Sequence, residues 1–276
     1  MKTSVWWSSV VLWTTLAGCA GSHWERSLAP DPRLTPSPSP SPVAESPARP
    51  TPELVEPPSP TPVALADMER VPQALRPLVE DVLNLGVIPA TDVRLDQPAT
   101  RRQFARWLMA VQQRLYRDQI ERQVRPATPG STPVFADVPH SDPDFTVIQG
   151  LAEAGIIPSR LTDGSRAPLR FEPDRWLTRE TLVVWKVSLD VSGQLPSGTV
   201  QAVTETWGFR DAAQIDPLAL SALVVDYRRE PSTVRQVWGR TRLFLPDKPV
   251  SQAQALAALW FCGTGDALVT AREALK

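Results

Sequence analysis

A chain of 276 residues with a formal net charge of -1 can hold one or two domains, and no region carries the basic excess that binding a phosphate backbone requires. Nucleic acid is therefore not expected as a partner. The two histidines, His23 and His140, and two cysteines supply neither a nucleophile, base and orienter set nor a metal-binding cluster, so no enzymatic activity, metal or cofactor is expected.

Residues 1–22 begin with Lys2 and run through mostly apolar positions to small residues, the layout of a signal peptide, with 1–18 expected to be removed. The run is shorter than the roughly 20 apolar residues of a spanning helix. Leu16-Ala17-Gly18-Cys19 resembles a bacterial lipobox. The resemblance implies that the Cys19 thiol receives a diacylglyceryl group and that its freed amine is acylated. An ordinary secretory signal with a chance cysteine is the other reading. Each buried methylene contributes about 0.8 kcal/mol, so several acyl chains would hold the protein on a membrane. Ala20 after the cysteine, rather than an aspartate, implies sorting to the outer membrane, facing the periplasm. If Cys19 is lipidated, Cys262 has no partner; in LAALWFCGTG it reads as a small buried hydrophobe, with a reactive thiol as the alternative.

Residues 19–63 begin at the cysteine, and within them 13 of the 30 prolines cluster in PDPRLTPSPSPSPVAESPARPTPELVEPPSPTP. Proline at nearly every second or third position removes amide donors and favours polyproline II, so the segment reads as a disordered, Pro-rich stalk. At about 3.1 Å per residue it could reach on the order of 110 Å. A ligand for a proline-binding module is the alternative use.

From about residue 65 apolar residues recur at helical spacing, and one pattern returns three times, over 64–117, 134–189 and 207–276. Phe135-x-Asp137-x4-Asp142-Pro143 matches Phe209-x-Asp211-x4-Asp216-Pro217, each an Asp-Pro helix start; Leu65-x-Asp67 opens the first copy more loosely. The three aspartates 67, 137 and 211 are expected to tie each unit's opening to backbone amides, as turn aspartates do. The stripes that follow are Leu75, Leu78, Val82 and Leu85; Phe145, Ile148, Leu151 and Ala152; and Leu220, Leu223, Val224 and Tyr227. Gly86 and Gly155 stop the first helix of copies one and two, before Pro89 and Pro158, while copy three lacks that stop near Arg228 and Arg229.

A second helix opens in each copy behind a hydroxyl cap, Thr100, Thr178 or Ser251, with an aspartate four residues earlier. Thr100 with Gln103 and Ser251 with Gln254 are capping boxes; copy two has Thr181 in that place. Phe171 and Phe244 stand seven residues before their caps, where copy one has Val93. Residues 118–133 and 190–206 read as connectors, and 264–276 as a closing helix with Leu268, Ala271 and Leu275 inward. The openings FADV, the stop AGIIP and the helix start ATRRQF resemble those of a bacterial S-layer homology region of three repeats, over roughly residues 65 to 262, with the third degenerate. The resemblance implies a mainly α fold, three helix-loop-helix repeats in a pseudo-threefold helical assembly.

Arg101 and Arg179, directly after their caps, place a cation where the helix macrodipole is already positive. Helix amides and a guanidinium fork converging on one point make a site for a planar anion. In the family this position is similar to the arginine that binds an acidic cell-wall glycan or pyruvylated secondary polymer, which implies that Arg101 and Arg179 bind a carboxylate with Thr100 and Thr178 in support. The other reading pairs each arginine with a protein carboxylate, such as the aspartate four residues before the cap. In copy three Gln252 loses the charge. Trp176, in a loop, offers a glycan a stacking face, whereas Trp107 and Trp185 lie on the apolar stripe and read as core. Asp137, Asp142 and Asp144 lack the calcium-loop pattern with its central glycine, and capping accounts for them better. The expected function is non-catalytic anchoring between membrane and cell wall. The rival is an interaction scaffold that holds other envelope proteins in its grooves.

Overall fold

A computed structural model describes residues 65–163, 170–192 and 195–276. The expected signal peptide, the expected lipidation site Cys19 and the expected Pro-rich stalk lie outside the described residues. The chain is mainly helical, with eleven α-helices and one two-stranded sheet among those residues. In order these are α1 (Leu65–Glu69), α2 (Arg76–Asn84), α3 (Arg101–Leu115), α4 (Phe145–Glu153), α5 (Arg160–Asp163) and α6 (Arg179–Val191). There follow α7 (Val200–Trp207), α8 (Pro217–Tyr227), α9 (Thr233–Trp238), α10 (Gln252–Ala258) and α11 (Ala271–Ala274). Strands β1 (Phe261–Cys262) and β2 (Val269–Thr270) pair antiparallel between α10 and α11. No described helix is long and apolar enough to cross a membrane.

Local signals set most of these ends. After α2 and α4 the chain turns at Gly86 and Gly155, whose φ angles of 73° and 74° are costly for any residue with a Cβ. Asp216 caps α8 by accepting from the Leu218 amide at 2.8 Å, with Pro217 at the first position. The matching pair does not start α4. That helix begins at Phe145, and Asp142 instead accepts from the Asp144 amide at 2.8 Å while facing Arg102. Without a glycine, α8 ends in the right-handed region at Arg228 and the chain enters the further helix α9.

Two further expectations fail. The stretch 190–206 holds the end of α6 and most of α7, whose cap, Thr199, accepts from the Ala202 amide at 3.1 Å. The closing segment 264–276 is a strand and a four-residue helix rather than one helix, because β2 pairs with β1 in the register Phe261 to Thr270 and Cys262 to Val269. Ala271 is buried there, but Leu275 is exposed.

The organising feature lies where α3, α6 and α10 begin. Ala99, Leu177 and Val250, each one residue before a cap, are fully buried. The Ala99 amide donates to the Val250 carbonyl at 2.9 Å, Val250 to Leu177 at 2.9 Å and Leu177 to Ala99 at 2.8 Å, so three backbone bonds close into a ring. The helix amides engage in the opposite rotation. Arg101 and Arg102 donate to Arg175 and Pro173, Arg179 and Glu180 to Lys248 and Pro246, and Gln252 and Ala253 to Gln97 and Leu95. Buried backbone groups need such partners, and here each capping segment supplies those of the next.

Around the ring the core is continuous. Phe104, Trp185, Phe171 and Phe135 follow one another with ring centroids 5.6 to 6.1 Å apart. Phe209 and Phe244 repeat part of this at 5.5 Å. Trp107 and Trp185 are core residues, as their spacing requires. Beyond the aromatic stack lies a buried charge cluster in which Asp190 receives Lys186, Arg229 at 2.6 Å and the Gly263 amide at 3.0 Å. Lys186 also rests over the Phe261 ring.

Removing the one carboxylate from this cluster leaves two buried cations without an anion, so Asp190→Asn is expected to cost about 3 kcal/mol or more in chemical denaturation. Cys262, free and buried beside it, has its thiol pushed up from 9.0 to about 12 by burial. Because the folded value lies above the ordinary one, the stabilisation from keeping the thiol neutral is complete below about pH 9 and is lost as pH rises towards 12. Alkylation at about pH 8, followed on the Cys262 peptide by mass spectrometry, is expected to be slow in the native protein and fast in denaturant.

Candidate functional site: two guanidinium groups on aromatic faces

Thr100 and Thr178 cap α3 and α6 as expected. Thr100 accepts from the Gln103 amide at 3.2 Å, and the Gln103 side chain accepts from the Thr100 amide at 2.9 Å. Thr178 accepts from the Thr181 amide at 3.3 Å, and the two hydroxyls lie 2.9 Å apart. Ser251 and Gln254 form the same box at α10. The first two amides of each helix already donate to a neighbouring segment and the third donates to the cap. This corrects the expectation that helix amides join the arginine in binding an anion: they are consumed inside the protein. The threonine hydroxyls are likewise engaged in capping and hold the arginines in place.

The side chains of Arg101 and Arg179 leave the helix starts for aromatic faces. The Arg101 guanidinium lies 5.1 Å from the centroid of Phe171 and 5.3 Å from that of Trp185. Arg179 lies 4.9 Å over Trp238, and its Nη1 donates to the Phe244 carbonyl at 3.0 Å. Such stacking offsets part of the cost of burying a cation. Burial lowers the pKa of both groups; Glu172 and Asp137 oppose it at Arg101, and Asp211 opposes it at Arg179. Among the described residues neither guanidinium forms an ion pair, and the Nε of each is buried without a hydrogen-bond partner.

The carboxylates proposed by spacing as partners are engaged elsewhere. Asp96 faces Arg70 at 3.1 Å, and Asp174 faces Arg102 at 2.8 Å. Arg102 is the residue that sequence reasoning missed. It also meets Asp144 at 2.6 Å and Asp142 at 3.3 Å, with Arg106 beside Asp144 at 3.3 Å. Burial opposes its charge, but the hydrogen bonds to Asp142, Asp144 and Asp174 outweigh that and raise its pKa. The acidic cluster therefore has a protein cation at its centre. The available signal was the pair Asp142 and Asp144, two carboxylates in need of a counter-charge.

Asp137 and Asp211 do bind backbone amides, but distant ones rather than those of their own turns. Asp137 accepts from Phe171 at 2.7 Å and Glu172 at 2.8 Å; Asp211 accepts from Phe244 at 2.9 Å and Leu245 at 2.7 Å. Glu172 and Leu245 both have φ of 54°, a conformation disfavoured for residues with a Cβ and held here by the carboxylates. Asp67 meets Arg70 at 3.9 Å instead. At the third position the Gln252 side chain accepts from the Arg94 amide at 2.7 Å, so it fills the role that an aspartate has in the other two. Trp176, half exposed at 50%, lies opposite Thr100 in an antiparallel bridge next to Arg175.

The contrast between adjacent arginines can be tested. Arg102→Gln leaves the partly buried Asp142 and Asp144 short of a cation and is expected to cost about 3 kcal/mol in urea unfolding, whereas Arg101→Gln should cost no more than about 1 kcal/mol. Equal losses would mean that Arg101 has an equally structural role. No known protein-family model matches the chain, and a search of the curated proteins finds no match.

Proposed function

We propose that residues 65 to 262 form an S-layer homology region of three repeats, over 64–117, 134–189 and 207–276, arranged about a pseudo-threefold axis and gripping an acidic cell-wall glycan without catalysis. Supporting the repeat reading, the three capping segments exchange backbone bonds at matching offsets from Thr100, Thr178 and Ser251. The binding reading rests on one observation: Arg101 and Arg179 are held at equivalent positions on aromatic faces without an ion pair among the described residues, while Arg102 next to one of them meets three carboxylates. Stacking on a ring leaves the Arg101 fork available for a planar oxyanion, while buried Arg179 has one Nη committed to the Phe244 carbonyl. The ligand in this reading is a carboxylate-bearing polymer such as a pyruvylated secondary wall polymer, with exposed Trp176 as a sugar platform.

The remainder of the proposal concerns the N-terminal residues: removal of 1–18, lipidation of Cys19 on the outer membrane facing the periplasm, and a Pro-rich stalk over 19–63 that spans the distance to the wall. The test is co-sedimentation of the full-length chain, purified in detergent, with wall sacculi before and after mild acid removal of ketals. Binding should fall at least about tenfold in Arg101→Gln/Arg179→Gln and on acid treatment. Arg101 should carry the larger share, since Nη1 of Arg179 is already committed to Phe244. Unchanged sedimentation of the double variant would overturn the glycan reading, and retention after removal of the glycan would favour an envelope-protein scaffold.

A further inference from the structure

A second arginine-lined cleft lies away from the capping segments, between α7, the end of α8 and the turn after α9. It encloses about 420 Å³ and is lined by Trp207, Tyr227, Arg235, Arg240, Thr241 and Arg242 among others, with three arginines and no aspartate or glutamate in its wall. That volume falls within the range of small-ligand sites.

The floor of the cleft is rigid. Trp207 donates from Nε1 to the Leu223 carbonyl at 2.9 Å and stacks on Phe209 at 5.4 Å with the rings 7° from parallel. Tyr227 meets Trp207 edge-on at 5.2 Å. The Arg235 guanidinium rests on both, 4.9 Å from Trp207 and 4.8 Å from Tyr227, and one Nη donates to the Tyr227 carbonyl at 3.0 Å. Beyond α9 the chain turns at Gly239, with φ of 65°, and brings the exposed Arg240 and Arg242 to the rim. The Arg242 backbone is fixed by the Arg210 amide, which donates to its carbonyl at 3.0 Å.

Among the described residues none of these three arginines pairs with a carboxylate, in a chain whose overall charge is only -1. Gathering three positive groups around one cleft costs Coulomb energy unless an anion joins them. The ring faces of Trp207 are covered by Phe209 and Arg235, so the cleft offers charge and donors rather than a stacking surface.

We propose that this cleft is a second binding site, selecting a compact oxyanion that carries two or more carboxylate or phosphate groups. Arg235 forms its fixed base, and Arg240 and Arg242 close on the ligand from the rim. Carboxylate and phosphate share the geometry that a guanidinium fork reads, and their sources are separated by probe.

The experiment is isothermal titration of the full-length chain with citrate and, separately, inorganic pyrophosphate. Binding of at least one probe is expected, weakened by added salt and reduced at least about tenfold in Arg240→Gln/Arg242→Gln, which touches only exposed side chains. Citrate alone would identify a polycarboxylate source and pyrophosphate alone a polyphosphate one; both would mean that charge spacing is what the cleft reads. Arg101→Gln/Arg179→Gln should bind the probe as the parent does, which separates this site from the proposed wall-binding positions. No heat with either probe, or undiminished binding in Arg240→Gln/Arg242→Gln, would overturn the proposal.

Discussion

Three backbone hydrogen bonds, joining Ala99, Val250 and Leu177 in a closed cycle, are the constraint on which the rest of this domain depends. A single extended residue before a helix leaves a donor and an acceptor that cannot be satisfied locally, and all three such residues are buried here. The cycle answers all three needs together. It also fixes where the next amides fall, so that the first turns of α3, α6 and α10 are spent on neighbouring loops. With the helix starts closed in this way, any affinity for an outside anion has to come from side chains.

In the proposed function the arginines would supply that affinity, and their surroundings sort them. Arg102 extends to Asp142, Asp144 and Asp174 and binds the α3 start to the α4 region. Arg101 and Arg179 turn instead onto Phe171, Trp185 and Trp238, near enough to Asp137 and Asp211 to feel them but not paired with them. Those aspartates cannot simply swing across, because each is held by two backbone amides next to a residue with positive φ. At the third position Gln252 takes the amide-binding role itself and brings no charge, which closes that position.

Much of the helical frame was legible because it is local. Thr100 with Gln103, Ser251 with Gln254, Gly86, Gly155 and the Asp216-Pro217 start all act within one turn, and each behaves as its residue type dictates. The misses depend on distant segments. Lys186 and Asp190, four apart on α6, are a pair whose burial only the folded chain reveals. Thr199 caps α7 inside the stretch 190–206, which reads as a connector in sequence. Leu268, Ala271 and Leu275 have helical spacing, yet pairing with Phe261 and Cys262 draws Val269 and Thr270 into a strand. The place of Arg101 and Arg179 at the helix starts was legible, but their stacking on Phe171 or Trp238 follows from how the segments close and was not. Arg235, Arg240 and Arg242 form no basic block in sequence, so the net charge concealed them.

The contact between Arg94 and Gln252 spans 158 positions along the chain, and Asp81 meets Arg272 across 191. A polypeptide emerging from the ribosome therefore holds the first capping segment exposed until almost the whole domain has been made. Contacts of such high sequence separation slow folding and make it cooperative, because the loop must close before any bond rewards it. A nascent chain that cannot settle early stays threadable, as the proposed export across a membrane would require.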